Sequence, residues 1–414
     1  MNLLALVFPG QGAQKAYMGK DIFESSTAAR LVFEEANDVL GWDVAKICFS
    51  GSELAFASTH SAQVAIFVVE IAMLEAIRAE APIFPAFFAG HSLGEYSALV
   101  AAGGLAFSEG LQLINKRGQL MEAACQVDHG MLAVSGISIE NLKRILIDLD
   151  QFGQPLDIAC NNAPEQYVLS GDLALLRKTT ELLSGFNVHT KRLKVSGAFH
   201  SRWMQESARE FREELKKVSW RKLKNGVISN VSGYPYPDDH SEWIDLLSQQ
   251  LHRPVNWLKT IRFLYLHGVR KVVEIGPASI LSQLNRSIIP FLETRSVCSI
   301  GDMEMELGFI SKNSRAGNAL AFVARSLSYA AATRNHNKSP SGEGRYFDEE
   351  CGSLYSEVSK CYHQARYQSH EDNENLCRLS VRMLKYIFEK KGITKAEQDL
   401  RYRELSWNDP YAIL

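Results

Sequence analysis

What this chain has little of narrows its class before any motif is read. Its seven cysteines (Cys48, Cys125, Cys160, Cys298, Cys351, Cys361 and Cys377) are scattered, with no Cys-x-x-Cys pair. An odd, dispersed set argues against a disulfide framework and suits a reducing compartment; it offers no metal-ligand spacing either, so no metal is expected. Net charge is also scarce: 45 basic against 47 acidic residues leave a formal −2. That balance gives neither nucleic acid nor an anionic membrane a broad surface to bind. No long apolar run escapes charges or glycine clusters, so no transmembrane helix is expected. The apolar start lacks a basic lead and breaks at Pro9-Gly10, so a signal peptide is not expected. With 46% hydrophobic and 22% charged residues over 414 positions, what is left is a globular, enzyme-sized chain of two or three domains, expected in the cytoplasm.

What is present centres on the stretch from Phe87 to Leu105. A short apolar run, Phe87-Phe88-Ala89, meets Gly90-His91-Ser92-Leu93-Gly94, and a helix-like segment from Glu95 to Ala102 follows. Strand, Gly-x-Ser-x-Gly and helix in that order make a nucleophile elbow, a strained turn that lifts a serine hydroxyl clear of the sheet. The helix start behind Ser92 also points free N–H groups at developing negative charge. The competing reading is an ordinary glycine-rich turn.

Around this stretch the chain divides in three. Leu3–Phe8 is a continuous apolar run suited to a doubly buried strand, and Pro9-Gly10-Gln11-Gly12 follows at the carboxyl end, where open α/β sheets place ligands. That loop is either a tight turn or a device that brings Gln11 to a substrate. Residues 61–79 are apolar almost all round, as in a central buried helix. From Met131 the texture becomes strand–helix–strand twice over, with helices expected at Ile139–Leu149 and Leu173–Leu183, which is the ferredoxin-like order. The expected fold class is therefore α/β: an α/β-hydrolase-like large domain with a parallel sheet core (1–127 and 198–292) carrying an inserted ferredoxin-like α+β small domain (128–197). Residues 293–344 read as linker, and 345–414 as a mostly helical C-terminal extension of unassigned role. In the extension Asp372 suits a helix N-cap and Gly392 a stop, while Leu376, Leu379, Met383, Leu384, Ile387 and Phe388 form one apolar stripe. Such a stripe packs on a neighbouring helix or the main body, or docks a partner.

A serine hydroxyl is too weak an acid to attack alone; it needs a base, a group to orient that base, and donors for an oxyanion. His91 is held too tightly in the turn to reach back to Ser92, but can hold the loop in shape. His200, after the small-residue turn Gly197-Ala198 and at the return from the inserted domain, is the candidate base or else a structural histidine. Arg117, on the helix after the elbow, is either a solvated charge or, turned into the cleft, a fork for a carboxylate. In the second case the acyl group would carry a free carboxylate.

Taken together, these blocks resemble the malonyl-CoA:acyl carrier protein transacylases and the related acyltransferase domains of polyketide synthases, including their discrete members. The resemblance covers residues 3–292: the loop Phe8 to Gln14, Gln63, the elbow Gly90 to Glu95, Arg117, the block Gly197 to Ser201, and Gln250-Leu251 with Pro254-Val255 and Trp257. Val64 stands where a proline is usual. It implies a Ser92–His200 dyad, an oxyanion hole of the Gln11 and Leu93 N–H groups, and a Gln250 that accepts a hydrogen bond from His200. It also implies Arg117 on the substrate carboxylate, with Gln63, His91 and Phe199 at the substrate pocket. The implied reaction moves malonyl from malonyl-CoA through a malonyl-serine ester to the phosphopantetheine thiol of an acyl carrier protein, in polyketide or fatty-acid biosynthesis, with no bound cofactor and in a monomer. Phe199 fills the space of a 2-methyl branch, which favours malonyl. The alternative is a hydrolase that clears acyl groups from carrier proteins, for which Arg117 would have no use.

Overall fold

The computed structural model describes residues 3–149, 155–311, 349–365 and 373–399, together with 323, 326, 327 and 330. Nine strands are described among them, in chain order β1 (Leu3–Phe8), β2 (Phe87–Gly90), β3 (His129–Ser135), β4 (Asp157–Ala163), β5 (Gln166–Asp172), β6 (His189–Arg192), β7 (Gly226–Ile228), β8 (Val269–Ile275) and β9 (Glu293–Val297). They form two sheets. The larger runs β7-β2-β1-β8-β9, parallel throughout, and every residue of β1 is buried. A parallel sheet must be covered on both faces, which is why β1 shows no apolar–polar alternation. Part of its cover is the helix Thr59–Glu80, apolar almost all round because the helices Thr27–Leu40 and Phe107–Ala123 pack on it in turn.

The smaller sheet is antiparallel, in the order β4-β5-β3-β6. In sequence terms, second, third, first and fourth strands lie side by side, the ferredoxin-like arrangement expected from the strand–helix–strand repeats. Its helices, Ile139–Leu149 and Leu173–Leu183, sit where their periodicity placed them, and the Asp172 carboxylate caps the second through the N–H groups of Ala174 and Leu175. Leu132, Val134, Leu142, Tyr167, Leu169 and Leu176 belong to a core separate from that of the large sheet.

The small sheet meets the rest of the structure along β4. The Asn161 N–H donates to the Val255 carbonyl and the Val255 N–H to the Ala159 carbonyl, both at 2.9 Å. At the start of the strand Asp157 takes both Arg202 side-chain donors and the Arg202 main-chain N–H. The small domain is therefore seamed to the segment that follows Gln250.

Two expectations shift. The large sheet does not end near Leu292: β9 pairs with β8 inside the span read as linker, and the helix Ile300–Ser311 follows. As an edge strand with Glu293 and Arg295 exposed, β9 lacks the apolar run that marks buried strands. In the C-terminal extension the helices Glu349–Ala365 and Asn373–Lys390 pack on each other, and Leu376, Met383, Leu384, Ile387 and Phe388 join Val323, Leu327, Ala330 and Val358 in a small core of their own. Gly392, at φ 67°, closes the second helix, with the Ile393 N–H on the Phe388 carbonyl. Asp372, residues 335–344 and residues 400–414 lie outside the described residues. Among those described, no helix is long and apolar enough to cross a membrane.

The turn from β2 into the helix Gly94–Ala101 passes over the end of β1 with no room for a methyl group. A Cβ at Gly94 would lie 2.2 Å from the Phe8 carbonyl oxygen and 2.5 Å from that of Pro9. The neighbours are backbone and cannot swing away, so Gly94→Ala is expected to cost about 1–3 kcal/mol or more. Urea unfolding checks this; an unchanged midpoint would show that the crossing is loose.

Candidate active site

Ser92 and His200 both occupy left-handed backbone, at φ 52° and 55°. This is costly for residues with a Cβ and persists only where the surroundings hold it. At Ser92 they do. Its N–H donates to the Asn230 side-chain oxygen at 2.6 Å, the Asn230 amide donates to the Gly90 carbonyl at 2.6 Å, and the Gln250 amide donates to the Ser92 carbonyl at 2.8 Å. At His200 the main-chain N–H is held by the Leu251 carbonyl at 3.1 Å.

The two side chains meet: Ser92 Oγ lies 2.7 Å from His200 Nε2. His200 Nδ1 lies 2.7 Å from the main-chain oxygen of Gln250. A carbonyl only accepts, so Nδ1 carries the proton and Nε2 offers its lone pair to the hydroxyl. Gln250 is thus the acceptor for the histidine, as expected, and it accepts through its main-chain carbonyl while its side chain turns elsewhere. That carbonyl ends the helix His240–Gln250, where carbonyls have no partner within the helix. The negative end of a helix dipole also favours the imidazolium that forms when the base takes a proton. Burial, and then the positive charge of Arg117, push the resting His200 down to about 3, so it stands neutral and ready to accept.

Arg117 is fully buried, so it is not the solvated charge that one of its two sequence readings made it. One nitrogen donates to the Gln63 side-chain oxygen at 2.6 Å; another donates to Ser92 Oγ at 3.1 Å and to the Gln250 side-chain oxygen at 3.0 Å. The guanidinium carbon lies 5.7 Å from the Tyr96 ring centre. Among the described residues no carboxylate forms an ion pair with Arg117, and its Nε has no acceptor. Burial lowers its pKa, against the smaller opposing effects of Tyr96 and Glu95.

The remaining expected residues fall nearby. Gly10 presses on the elbow, a Cβ there lying 2.5 Å from the His91 oxygen, which brings the next residue, Gln11, to the same edge. Leu93 is buried just before the helix Gly94–Ala101. His91 turns away from Ser92, with Nε2 2.9 Å from the Asn162 oxygen on β4, and Phe199 is buried next to His200 in the chain. Sequence reading missed Asn162, Asn230 and Tyr236, which carry no motif signal. It left Glu95 without a role, although a lone acid at the head of the mostly apolar run Tyr96 to Ala102 was a visible clue. Its carboxylate is buried and accepts from the Tyr236 hydroxyl, the Asn230 N–H and the Gln250 amide.

A serine so placed, beside a neutral imidazole and a cation with free donors, belongs to an enzyme that passes acyl groups through a serine ester: a serine acyltransferase. Residues 5–324 match the acyl transferase domain family. The chain is 34% identical over 340 residues to a malonyl CoA-acyl carrier protein transacylase of Bacillus subtilis, covering 82% of this chain and 85% of that one. It is 39% identical over 291 residues to the polyketide biosynthesis protein ThaF of Burkholderia thailandensis, covering 70% of this chain but only 24% of ThaF. In structure it is similar to the malonyl CoA-acyl carrier protein transacylase of Clostridium perfringens (TM-score 0.70, 32% identity, 75% of this chain and 98% of that one). A malonyl-transacylase solved in complex with a type II PKS acyl-carrier protein superposes with a TM-score of 0.72 at 28% identity, over 74% of this chain and all of that one. The chain belongs to the acyl transferase family, among the malonyl CoA-acyl carrier protein transacylases.

The depressed pKa of His200 has a sign that can be checked. The neutral base is the active form, so a lowered pKa keeps it active to more acid pH. The rate at which a neutral sulfonyl fluoride modifies Ser92 is expected to hold level through about pH 6.5, where a free histidine would titrate. A fall centred there would show His200 to be open to water. The same burial means that the unfolded chain binds a proton that the folded chain refuses, so His200 draws stability down as pH falls from 6.5 towards about 3.

Proposed function

We propose that this chain moves a malonyl group from malonyl-CoA to the phosphopantetheine thiol of an acyl carrier protein, with Ser92 and His200 as a catalytic dyad and Arg117 as the malonyl receptor. The observation that carries the reading is the buried Arg117 guanidinium, 3.1 Å from the serine oxygen and without a carboxylate partner. A substrate carboxylate supplies the missing charge and two acceptors matched to the fork. A hydrolase for uncharged acyl chains gains nothing from that cation and carries its desolvation cost.

The steps balance on the residues in place. His200 Nε2 takes the Ser92 proton as Oγ attacks the thioester carbonyl. The N–H groups of Gln11 and Leu93 stabilise the resulting oxyanion, neither having an acceptor among the described residues. The intermediate collapses, the thiolate of coenzyme A leaves, and His200 returns the proton to it. The malonyl-serine ester stays on Arg117 until the carrier thiol gives its proton to His200, attacks the ester, and releases Ser92, which takes the proton back. The chemistry needs no bound cofactor.

A carbonyl orients His200 where an aspartate stands in many hydrolases. It fixes the tautomer but stabilises imidazolium less, and a thioester, a better electrophile than an amide, tolerates the weaker base. Gln63 holds one edge of the Arg117 fork, His91 holds the elbow loop through Asn162, and Phe199 excludes a 2-methyl branch. One methyl is worth about 1–3 kcal/mol, so selectivity against methylmalonyl is real but incomplete. The acyl carrier protein is the partner, in fatty-acid or polyketide synthesis, and the protein acts as a cytoplasmic monomer.

Intact-mass measurement after mixing with malonyl-CoA is expected to show one malonyl adduct that is absent in Ser92→Ala. Rapid release of free malonate without carrier loading would instead make the protein a hydrolase. Arg117→Ala is expected to cut malonyl transfer by two orders of magnitude or more, since a buried carboxylate left unpaired costs about 3–5 kcal/mol. Acetyl transfer by the same variant is expected to hold level or rise. Equal loss with both donors would make the arginine structural.

A further inference from the structure

We propose that Glu95 is a positioning residue for malonyl selection: its carboxylate sets the orientation of the Gln250 amide, and through it aims Arg117 at the acyl group. The inference rests on Arg117 being the malonyl receptor.

The argument is one of hydrogen-bond polarity. The Gln250 side chain stands between a group that can only donate and a group that can only accept when ionised. Arg117 donates to its oxygen at 3.0 Å, and its nitrogen donates to Glu95 Oε2 at 2.6 Å and to the Ser92 carbonyl at 2.8 Å. One orientation of the amide satisfies all three contacts, and the reverse orientation sets nitrogen against nitrogen at Arg117. The carboxylate is itself fixed, because its other oxygen accepts from the Tyr236 hydroxyl and from the Asn230 N–H. Its donors, Tyr236, Gln250, Asn230 and Ser229, favour the ionised form, working against burial, which lifts the acid to about 7. Glu95 thus offsets part of the charge of Arg117 across one amide without occupying the fork. A carboxylate in direct contact with the fork would compete with malonate, and with no acid nearby the buried cation would have no compensating charge. The same Gln250 nitrogen also holds the Ser92 carbonyl, so acyl receptor and nucleophile are registered on one amide.

Glu95→Gln removes the charge and breaks the polarity, since no arrangement of two facing amides meets Arg117, Asn230 and Tyr236 together as the carboxylate does. Transfer to holo acyl carrier protein from malonyl-CoA and from acetyl-CoA, at about pH 8 where the acid is ionised, separates the possible roles. The ratio of malonyl to acetyl kcat/KM is expected to fall at least tenfold in Glu95→Gln, mostly through a raised KM for malonyl-CoA, and to recover in part in Glu95→Asp, which restores charge and polarity. A wild-type ratio in Glu95→Gln, equal losses with both donors, or no recovery in Glu95→Asp would overturn the proposal. If Glu95→Gln does not fold, Gln250→Met decides, because it deletes the bridging amide and keeps the backbone carbonyl on His200. A lowered ratio there supports the bridge and an unchanged ratio overturns it. A wild type with no preference for malonyl over acetyl would instead overturn the reading of Arg117 itself.

Discussion

Burying a guanidinium costs several kcal/mol unless its donors are met and its charge is balanced, and this site is organised around doing both incompletely. Gln63 and Gln250 supply neutral acceptors for Arg117, Ser92 a weak third, and Glu95 a negative charge one amide away. The cation is stable enough to fold around, yet its Nε and its charge are left for a ligand to complete. The same positive charge, added to burial, keeps His200 unprotonated. One buried cation therefore bears on both parts of the proposed mechanism, the receptor for the acyl group and the state of the base.

The second constraint is backbone strain. Ser92 and His200 face each other from left-handed conformations on segments over a hundred residues apart in sequence. Neither conformation is favoured by its own residue, so both are imposed from outside. Asn230, in the turn two residues after β7, clamps the elbow together with Gln250, while the close crossing at Gly94 fixes the start of the following helix against β1. The strain holds the serine oxygen and the imidazole 2.7 Å apart before any substrate arrives.

The inserted domain is not a passenger on this arrangement. Its strand β4 is hydrogen-bonded to Val255 just after Gln250, reaches His91 in the elbow through Asn162, and holds Arg202 just after His200 through Asp157. Three pieces of the active site thus lean on one strand of the small sheet. Displacing that strand would move the segments that carry Ser92 and His200 together, so the insertion is part of what positions the candidate site.

By itself the sequence determined the elements whose signals are local. The doubly buried β1, the largely apolar helix Thr59–Glu80, the elbow and the two helices of the small domain follow from periodicity and punctuation within a few residues. It also named Ser92, His200 and Arg117 as candidates. Tertiary structure decided which atoms of those residues act. Whether Arg117 met water or the cleft, and whether Gln250 held His200 by side chain or backbone, depended on segments 50 to 133 residues away in sequence. The edge strand β9 escaped notice because it is exposed on its outer side, and Asn230 because one asparagine in a turn looks like any other. Periodicity records which face of an element is buried. It carries no record of which distant partner a buried polar atom will meet, and at this site those partners set the chemistry.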